Sequence, residues 1–422
     1  MRVLFVHQNF PGQYAHLAAH LAAQPGNEVL FLTQRPNQPL PGVKRIVYKA
    51  ARKLSPETHK YVRSLEAAVL NGEAVYGVAT SLKKAGFVPD IMIGHNGWGE
   101  TLYLKEAFPD TPLVSYFEFF YRSSGTDIGF DPEFPASTGV RLRAHTLNAV
   151  NLIGLQVADV GLTPTQWQRA QYPAIYHDKL RVIHDGIDTS VVKPDPEAFI
   201  VLKKAGVRLT AKDEVITYVA RNLEPYRGFH IFMRAVPEIQ KRRPNAHIVI
   251  VGGDEVSYGS SLPNGQTFRK RMLAEVGRHI DPKRLHFLGR IPYAAYLKVL
   301  QVSSAHVYLT YPFVLSWSML EAMAAGCLVI GSRTPPVEEV IRDGHNGLLV
   351  DFFSPDGIAE KVEQVLGDAE RVPAVRAKAR ATMIERYDLR EFCLTAQLEL
   401  VTRLLRRPAV ATHATEEREV TA

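Results

Sequence analysis

Val215-Ile216-Thr217-Tyr218-Val219-Ala220-Arg221-Asn222-Leu223-Glu224-Pro225-Tyr226-Arg227-Gly228-Phe229 runs from a β-branched strand through a charged loop into the start of a helix. Branched and aromatic residues suit a pleated strand, and Pro225 and Gly228 punctuate the loop. The same unit recurs downstream, with strands expected at His247 to Val251, Leu285 to Leu288, Ala305 to Leu309 and Leu328 to Ile330. Short strands alternating with longer helical patterns are the mark of βαβ units and a largely parallel sheet.

Upstream the pattern is the same, with strands at Val3 to Val6, Val29 to Leu32, Val43 to Tyr48, Ile91 to Ile93 and Leu113 to Tyr116, and the longest helix from about Pro56 to Ala85. A chain of 422 residues exceeds what one core sustains, roughly 250 to 300 residues. Between the two series, Lys179 to Pro194 reads as a linker. The expected fold is therefore α/β, with two Rossmann-like doubly wound domains, 1–193 and 194–387, facing across a cleft. Asp388 to Arg407 forms a helix after the second sheet is complete, and it is expected to cross back toward the first domain. The small, polar residues 408–422 read as a disordered tail.

Composition narrows the function. With 46% apolar and 22% charged residues, the chain is an ordinary globular one. Cys327 and Cys393 are the only cysteines, which leaves no disulfide framework and no cysteine-based zinc site. A cytoplasmic setting fits. Met1 to Val6 is too short for a signal-peptide core, and no run of 18 apolar residues offers a membrane span. The net charge of +7 points to anionic company, yet the basic residues are spread among acidic ones and no nucleic-acid reading motif occurs.

In doubly wound sheets, ligands bind at the carboxyl ends of the strands. After the first strand, Phe10-Pro11-Gly12-Gln13 opens a helix, either as turn chemistry or as a close backbone approach to an anion at a helix amino end. Arg221 and Arg227 bracket a strand-to-helix loop and can offer two planar forks to a diphosphate, unless Glu224 is their partner. After Ala305 to Leu309 comes Thr310 to Gly326, where amides at Leu315, Ser316 and Trp317 face an anion if a helix begins there. Ser318-x-x-Glu321 in that run also fits a capping box.

In this order and at these strand ends, the three clusters resemble retaining glycosyltransferases of family 4 with the GT-B fold. The resemblance covers nearly the whole chain. It rests on Val3 to Leu21, Arg221 to Gly228 and Leu320-Glu321-Ala322-Met323-Ala324-Ala325-Gly326, with further matches in Gly186-Ile187-Asp188, Phe287 to Ile291 and Glu339 to Val350. It implies that Arg221 and Arg227 hold the diphosphate of a UDP- or GDP-sugar, Glu321 the ribose, the backbone near Ile291 the base, and Gly12 the sugar-phosphate side. It implies no metal and no cofactor, since arginines and helix dipoles carry the electrostatic work.

Two departures stand out. The family usually carries two glutamates eight positions apart, and the position eight before Glu321 is Phe313. Where the family places a histidine near the acceptor cleft, Glu118 follows the strand Leu113 to Tyr116, and His95 lies one strand earlier. Glu118 is a candidate for stabilising charge at the anomeric carbon or taking the acceptor's proton, and His95 for orienting the sugar. The plainer reading pairs Glu118 with Arg122.

The sequence thus implies transfer of a hexose from a nucleotide-sugar donor to a hydroxyl acceptor such as a glycan, a lipid-linked sugar or a small aglycone. A nucleotide-sugar epimerase and a nucleotide-sugar-binding protein without turnover are the competing readings. Phe117, Phe119, Phe120, Tyr121, Phe130 and Phe134 form an apolar acceptor wall or ordinary core. The segment Pro56 to Lys84, with His59, Lys60, Arg63, Lys83 and Lys84 beside Val62, Leu65, Val69 and Leu70, suits either weak membrane-surface association or a solvated helix covering the first sheet.

Overall fold

The structure, a computed structural model, describes residues 1–203 and 205–406; the tail expected over 408–422 lies outside the described residues. Among these, seven strands build a first sheet: β1 (Arg2–Val6), β2 (Glu28–Thr33), β3 (Val43–Val47), β4 (Ile91–His95), β5 (Leu113–Tyr116), β6 (Val160–Thr163) and β7 (Leu180–Val182). Their order is β3-β2-β1-β4-β5-β6-β7 and every pairing is parallel. After an antiparallel hairpin of β8 (Phe199–Leu202) and β9 (Val207–Thr210) comes a second parallel sheet. It comprises β10 (Val215–Asn222), β11 (His247–Gly253), β12 (Leu285–Gly289), β13 (Ala305–Tyr308), β14 (Val329–Ser332) and β15 (Leu348–Val350), in the order β12-β11-β10-β13-β14-β15.

The helices that bear on the site are α1 (Ala15–Ala23), α2 (Arg63–Lys84), α3 (Thr138–Val157), α4 (Phe229–Arg242), α5 (Tyr293–Gln301), α6 (Trp317–Ala324) and α7 (Leu394–Leu405). Central strands are apolar on both faces because helices cover both. In β1, Val3 and Phe5 pack with Leu17 and Leu21 of α1 and with Leu400 and Leu404 of α7, while Leu4 and Val6 pack with Val75 and Ala79 of α2. In β10, Ile216 and Tyr218 meet Phe232 and Val236 of α4.

The expected two-domain α/β architecture is present, and α7 does return to the first domain, with several local corrections. β6 was not anticipated, because Gly161 interrupts the short apolar run of Val160–Thr163 directly after α3. Leu180–Val182, read as the start of the linker, is instead the edge strand β7 and pairs with β6. The helix expected from Pro56 begins at Arg63, after turns closed by Thr58 N to Ser55 O and Val62 N to His59 O. Leu70 of that helix is buried and Leu65 packs inward, so neither forms part of its outer face. The C-terminal helix starts with a wide turn at Leu389–Cys393 before α7.

The two crossings between the domains run side by side. Ile187 N donates to Tyr387 O and Leu389 N to Ile187 O, both at 2.9 Å. Gly186 is required there: its φ is +88°, and a Cβ would lie 2.8 Å from the Leu389 Cα. Among the described residues, no helix is long and apolar enough to cross a membrane.

Strand order reverses between β1 and β4 and again between β10 and β13, the two places where doubly wound sheets open a crevice. The carboxyl ends of these four strands carry the loops after Val6, His95, Asn222 and Tyr308. Leu404 of α7 is 2% exposed against the first sheet. Leu404→Ala is therefore expected to cost about 2 to 5 kcal/mol of stability. Arg403→Ala, on the exposed side of the same helix, should change little; equal losses from both in denaturant titrations would contradict this packing.

Candidate active site

Arg227 is the best-defined group at the second switch point. Its loop leaves β10, makes a single turn over Pro225–Arg227 and enters α4 through Gly228, whose φ of +67° and missing Cβ let the chain pass Leu309. The Arg227 guanidinium is buried and donates through Nη1 to Thr310 Oγ1 at 2.7 Å, Val314 O at 2.9 Å and the Tyr308 hydroxyl at 3.2 Å. It lies over the Tyr258 ring, 5.4 Å from the centroid. No carboxylate among the described residues comes within ion-pair distance. Glu224, the suggested partner of both arginines, instead accepts from the amides of Ser257, Tyr258 and Gly259 at 3.0 to 3.1 Å. Arg221 is exposed and likewise lacks an ion-pair partner among the described residues.

Both arginines line a cavity of about 320 Å³ between the domains. Glu118, Leu315, Ser316 and Trp317 also line it, so six of the ten residues singled out from the sequence converge there. Gly12, His95, Ile291 and Glu321 do not. The space a Gly12 Cβ would take is filled by the His7 ring at 2.6 Å, and it is the next residue, Gln13, that reaches the cavity while its Oε1 accepts from His7 Nε2 at 2.7 Å. Ile291 packs into the core beside α5 and lines a separate groove against β8. Glu321 sits on α6 with one carboxylate oxygen on the Tyr293 hydroxyl at 2.8 Å and the other on the Tyr296 hydroxyl at 2.7 Å.

Those bonds also dispose of the capping box. The N-cap of α6 is Ser316, whose Oγ accepts from Ser318 N, and Glu321 caps nothing. The Ser316 amide, expected to be free, donates to the Tyr308 hydroxyl at 2.9 Å. The pairing of Glu118 with Arg122 is absent too: Arg122 donates to the carbonyls of Ala170 and Gln171. Burial raises the Glu118 carboxyl above its usual range, against the pull of Arg227 and Arg221.

His95 is buried under the cavity. Its ring stacks on Trp98 and Tyr116, and Nδ1 accepts from Gly97 N at 3.0 Å. Nε2 has no hydrogen-bond partner among the described residues and points to Glu118, 3.9 Å from Oε2. Burial, reinforced by nearby His7, holds the imidazole well below its ordinary pKa and hence neutral. The aromatic wall divides: Phe117 and Phe120 belong to the first domain's own core, whereas Phe130 and Phe134 pack on the second domain.

Asp185 escaped the sequence reading because it sits inside the linker. It lines the cavity and accepts from Tyr116 of the first domain at 3.2 Å and from the Trp317 indole of the second at 2.9 Å. Burial pushes its carboxyl up to about 7, against these two hydrogen bonds. Tyr308, Gln168, Asn222 and Tyr258 also line the cavity. Tyr308 and Asn222, at the ends of β13 and β10, carried the signal of strand-end position; Gln168 and Tyr258 gave none.

A cavity at paired switch points, lined by two guanidinium groups, suits an anionic ligand. The sequence model of the Glycosyl transferase family 4 group matches residues 25–192, and that of the Glycosyl transferases group 1 matches residues 203–383. The chain belongs to the family 4 glycosyltransferases. A D-inositol 3-phosphate glycosyltransferase of Corynebacterium efficiens is 30% identical over 220 residues, 50% of this chain and 49% of the relative. A GDP-mannose-dependent alpha-(1-6)-phosphatidylinositol monomannoside mannosyltransferase of Mycolicibacterium smegmatis is 24% identical over 249 residues, 55% of this chain and 59% of the relative. The chain thus spans about half the length of the curated relatives it matches. Among solved structures, Anabaena Alr3699/HepE in complex with UDP has a TM-score of 0.66 at 16% identity, covering 96% of this chain and 100% of that one. Sucrose-phosphate synthase of Thermosynechococcus elongatus has a TM-score of 0.70 at 16% identity, covering 96% and 99%. These likenesses establish the GT-B fold.

Within this glycosyltransferase, Asp185 gives a pH signature. Folded, it keeps its proton up to about 7; unfolded, it loses it near 4, so it contributes a fall in stability as pH rises between those values. Asp185→Asn retains an oxygen acceptor for Tyr116 and Trp317 and does not ionise. Its melting temperature is expected to exceed that of the wild type at pH 8, by a margin that shrinks toward pH 4. A margin independent of pH would refute the assignment.

Proposed function

We propose that the chain transfers a hexose, with retention of configuration, from a UDP- or GDP-sugar to a hydroxyl acceptor in the cleft. The observation that carries this reading is Arg227: a buried cation with no carboxylate partner, beside exposed Arg221, on the wall of a cavity at a switch point. An anion of high charge density would compensate the buried guanidinium. Alr3699/HepE has been solved with UDP and glucose and with UDP-glucose, and the mycolicibacterial relative is named for GDP-mannose. Both fit a diphosphate between Arg221 and Arg227.

On this reading, residues 1–193 take the acceptor and 194–387 the donor. The bond from the anomeric carbon to the diphosphate oxygen breaks as that to the acceptor oxygen forms, and the acceptor's proton passes to the departing phosphate oxygen. Arg227, Arg221 and the amino end of α6 at Ser316 stabilise the charge that grows on the diphosphate. Glu118, at the cavity with its raised pKa, faces the anomeric centre, and His95 supports it from below. Glu321, with both oxygens oriented by tyrosine hydroxyls, takes the ribose, the Ile291 loop the base, and Gln13 replaces Gly12 on the sugar side.

The relatives' names, with inositol phosphate and phosphatidylinositol mannoside, favour a polyol or lipid-linked acceptor and a role in glycan assembly. An acceptor of that kind suits a cytoplasmic enzyme with weak attachment to an anionic membrane. Lys60, Arg63 and Arg143 are exposed near Val62 and Leu142, where α2 and α3 run together. At about 1 kcal/mol per basic residue near anionic lipid, three would give a salt-sensitive association. Co-sedimentation with anionic vesicles at low salt, lost at high salt, is the expected result; no sedimentation at low salt would remove this part of the reading.

Mass spectrometry of reactions with paired panels of nucleotide sugars and hydroxyl acceptors tests the main proposal. A new glycoside formed in excess chelator is expected. Donor isomerised without acceptor would favour the epimerase, and donor bound but unchanged would favour the binding protein. Arg221→Ala is the clean variant, since the side chain is exposed and supports no internal hydrogen bond. It should weaken donor binding by about 1.5 to 3 kcal/mol, roughly 10- to 150-fold, at unchanged melting temperature. Unaltered donor affinity would sink the diphosphate assignment.

A further inference from the structure

Between β5 and α3 the first domain sends out a segment, residues 119–136, whose middle is buried in the second domain. Its root is fixed at home: Asn148 of α3 accepts from Tyr121 N at 2.9 Å and donates to Tyr121 O at 2.6 Å, and Asn151 donates to Phe119 O at 2.9 Å. From Asp127 to Phe134 its partners lie on the other side of the cleft. Phe130 packs on Tyr311, Phe352 and Phe353, and Phe134 on His230 and Phe268. Asp131, 2% exposed, accepts from the Tyr311 hydroxyl at 2.7 Å and lies 2.9 Å from His230 Nε2. Glu133 bridges Arg234 at 2.7 Å and Arg271 at 2.6 Å.

One of these contacts reaches the diphosphate loop. Asp127, 4% exposed, accepts from the Tyr226 hydroxyl at 3.0 Å, and Tyr226 is the residue immediately before Arg227. The Tyr226 carbonyl in turn accepts from Tyr311 N at 3.0 Å, and the two rings pack 4.7 Å apart. Tyr226 is thus held from two sides by what the first-domain arm grips, Asp127 directly and Tyr311 through Asp131. The arm begins one residue after Glu118. A single stretch of chain therefore connects the carboxylate at the cavity to the loop that carries Arg227 on the opposite wall.

We infer that Asp127 is a positioning residue for donor binding: carried on the first-domain arm, it fixes Tyr226 and through it the Arg227 loop of the second domain. The inference rests on the donor reading of Arg221 and Arg227 given above. An arm that served only as glue between domains would lower the melting temperature on mutation and leave the affinity of the folded protein for a diphosphate intact. A positioning residue changes that affinity, because the loop then samples arrangements in which the guanidinium forks no longer match the phosphates.

The test is a double-mutant cycle read by calorimetric titration of the full chain with UDP and with GDP, alongside melting temperatures. Tyr226→Phe removes one hydroxyl and keeps the ring, so it preserves the fold. It is expected to weaken nucleotide binding about tenfold. Asp127→Ala should do the same, the double variant no more than either, and Asp127→Asn, which still offers an oxygen to Tyr226, should recover most of the loss. Wild type that binds neither UDP nor GDP would overturn the donor reading and this inference with it. Wild type that binds, with Tyr226→Phe and Asp127→Ala binding as tightly or their effects simply adding, would overturn the positioning role alone.

Discussion

A guanidinium taken out of water without a counter-ion is a costly arrangement, and the second domain is organised to hold one. Unpaired, a buried ion costs several kcal/mol even after relaxation. Arg227 offsets part of that through hydrogen bonds to a hydroxyl at the end of β13, a threonine just beyond it and a carbonyl in the loop before α6. All three acceptors are neutral, so the cation is oriented and not neutralised. The nearby carboxylate, Glu224, lies outside ion-pair distance and is engaged by three amides. Tyr308 links this arrangement to α6, since the hydroxyl that receives Arg227 also receives the Ser316 amide. The Arg227 loop and the start of α6 are thus tied at one oxygen atom.

The first domain meets this positive wall with acids whose ionisation is suppressed by burial. Glu118 and Asp185 both line the cavity, and both have carboxyl pKa values above the usual range. Burial thus works against the charged form of both acids beside the two arginines. Asp185 adds a mechanical link. Its linker backbone is bridged to the returning chain at Ile187, and its side chain joins Tyr116 of one domain to Trp317 of the other.

How much of this was legible in the sequence follows from the range of the interactions. Strand, loop and helix are written in local patterns, so the sheets, the arginine loop and the start of α6 near Ser316 could be read before any contact was known. Partner choice is not local. Glu224 sits three residues from Arg221 and three from Arg227 yet serves a loop 33 to 35 residues away. The Ser318-x-x-Glu321 spacing fits a capping box, but two tyrosines on another helix claim the carboxylate. Asp185 had the appearance of linker because its role depends on two aromatic residues that the chain brings in from 69 and 132 positions away. The arm was hardest to read. Phe130 and Phe134 look like core residues of the domain they leave, and only the three-dimensional path shows that they belong to the core of the other.

Phe313 bears on the donor sugar for the same reason. A carboxylate at this position would need water or sugar hydroxyls around it, whereas Phe313 is 4% exposed, with the rings of Phe119, Tyr226 and Tyr258 within 4.6 to 5.4 Å. Phe119 comes from the root of the arm, so an aromatic ring in place of a charge lets the first domain pack against the Arg227 loop without burying an acid. Hydroxyl recognition at that spot is given up in return. On the donor reading, contacts to the sugar then fall to other polar groups that line the cavity, among them Gln13 and Glu118 from the first domain, Asn222 from the second, and Asp185 between them. Two of these four come from the first domain and one from the linker, so sugar selectivity would depend on how the domains sit against each other, which is the geometry that the arm and the paired crossings hold in place.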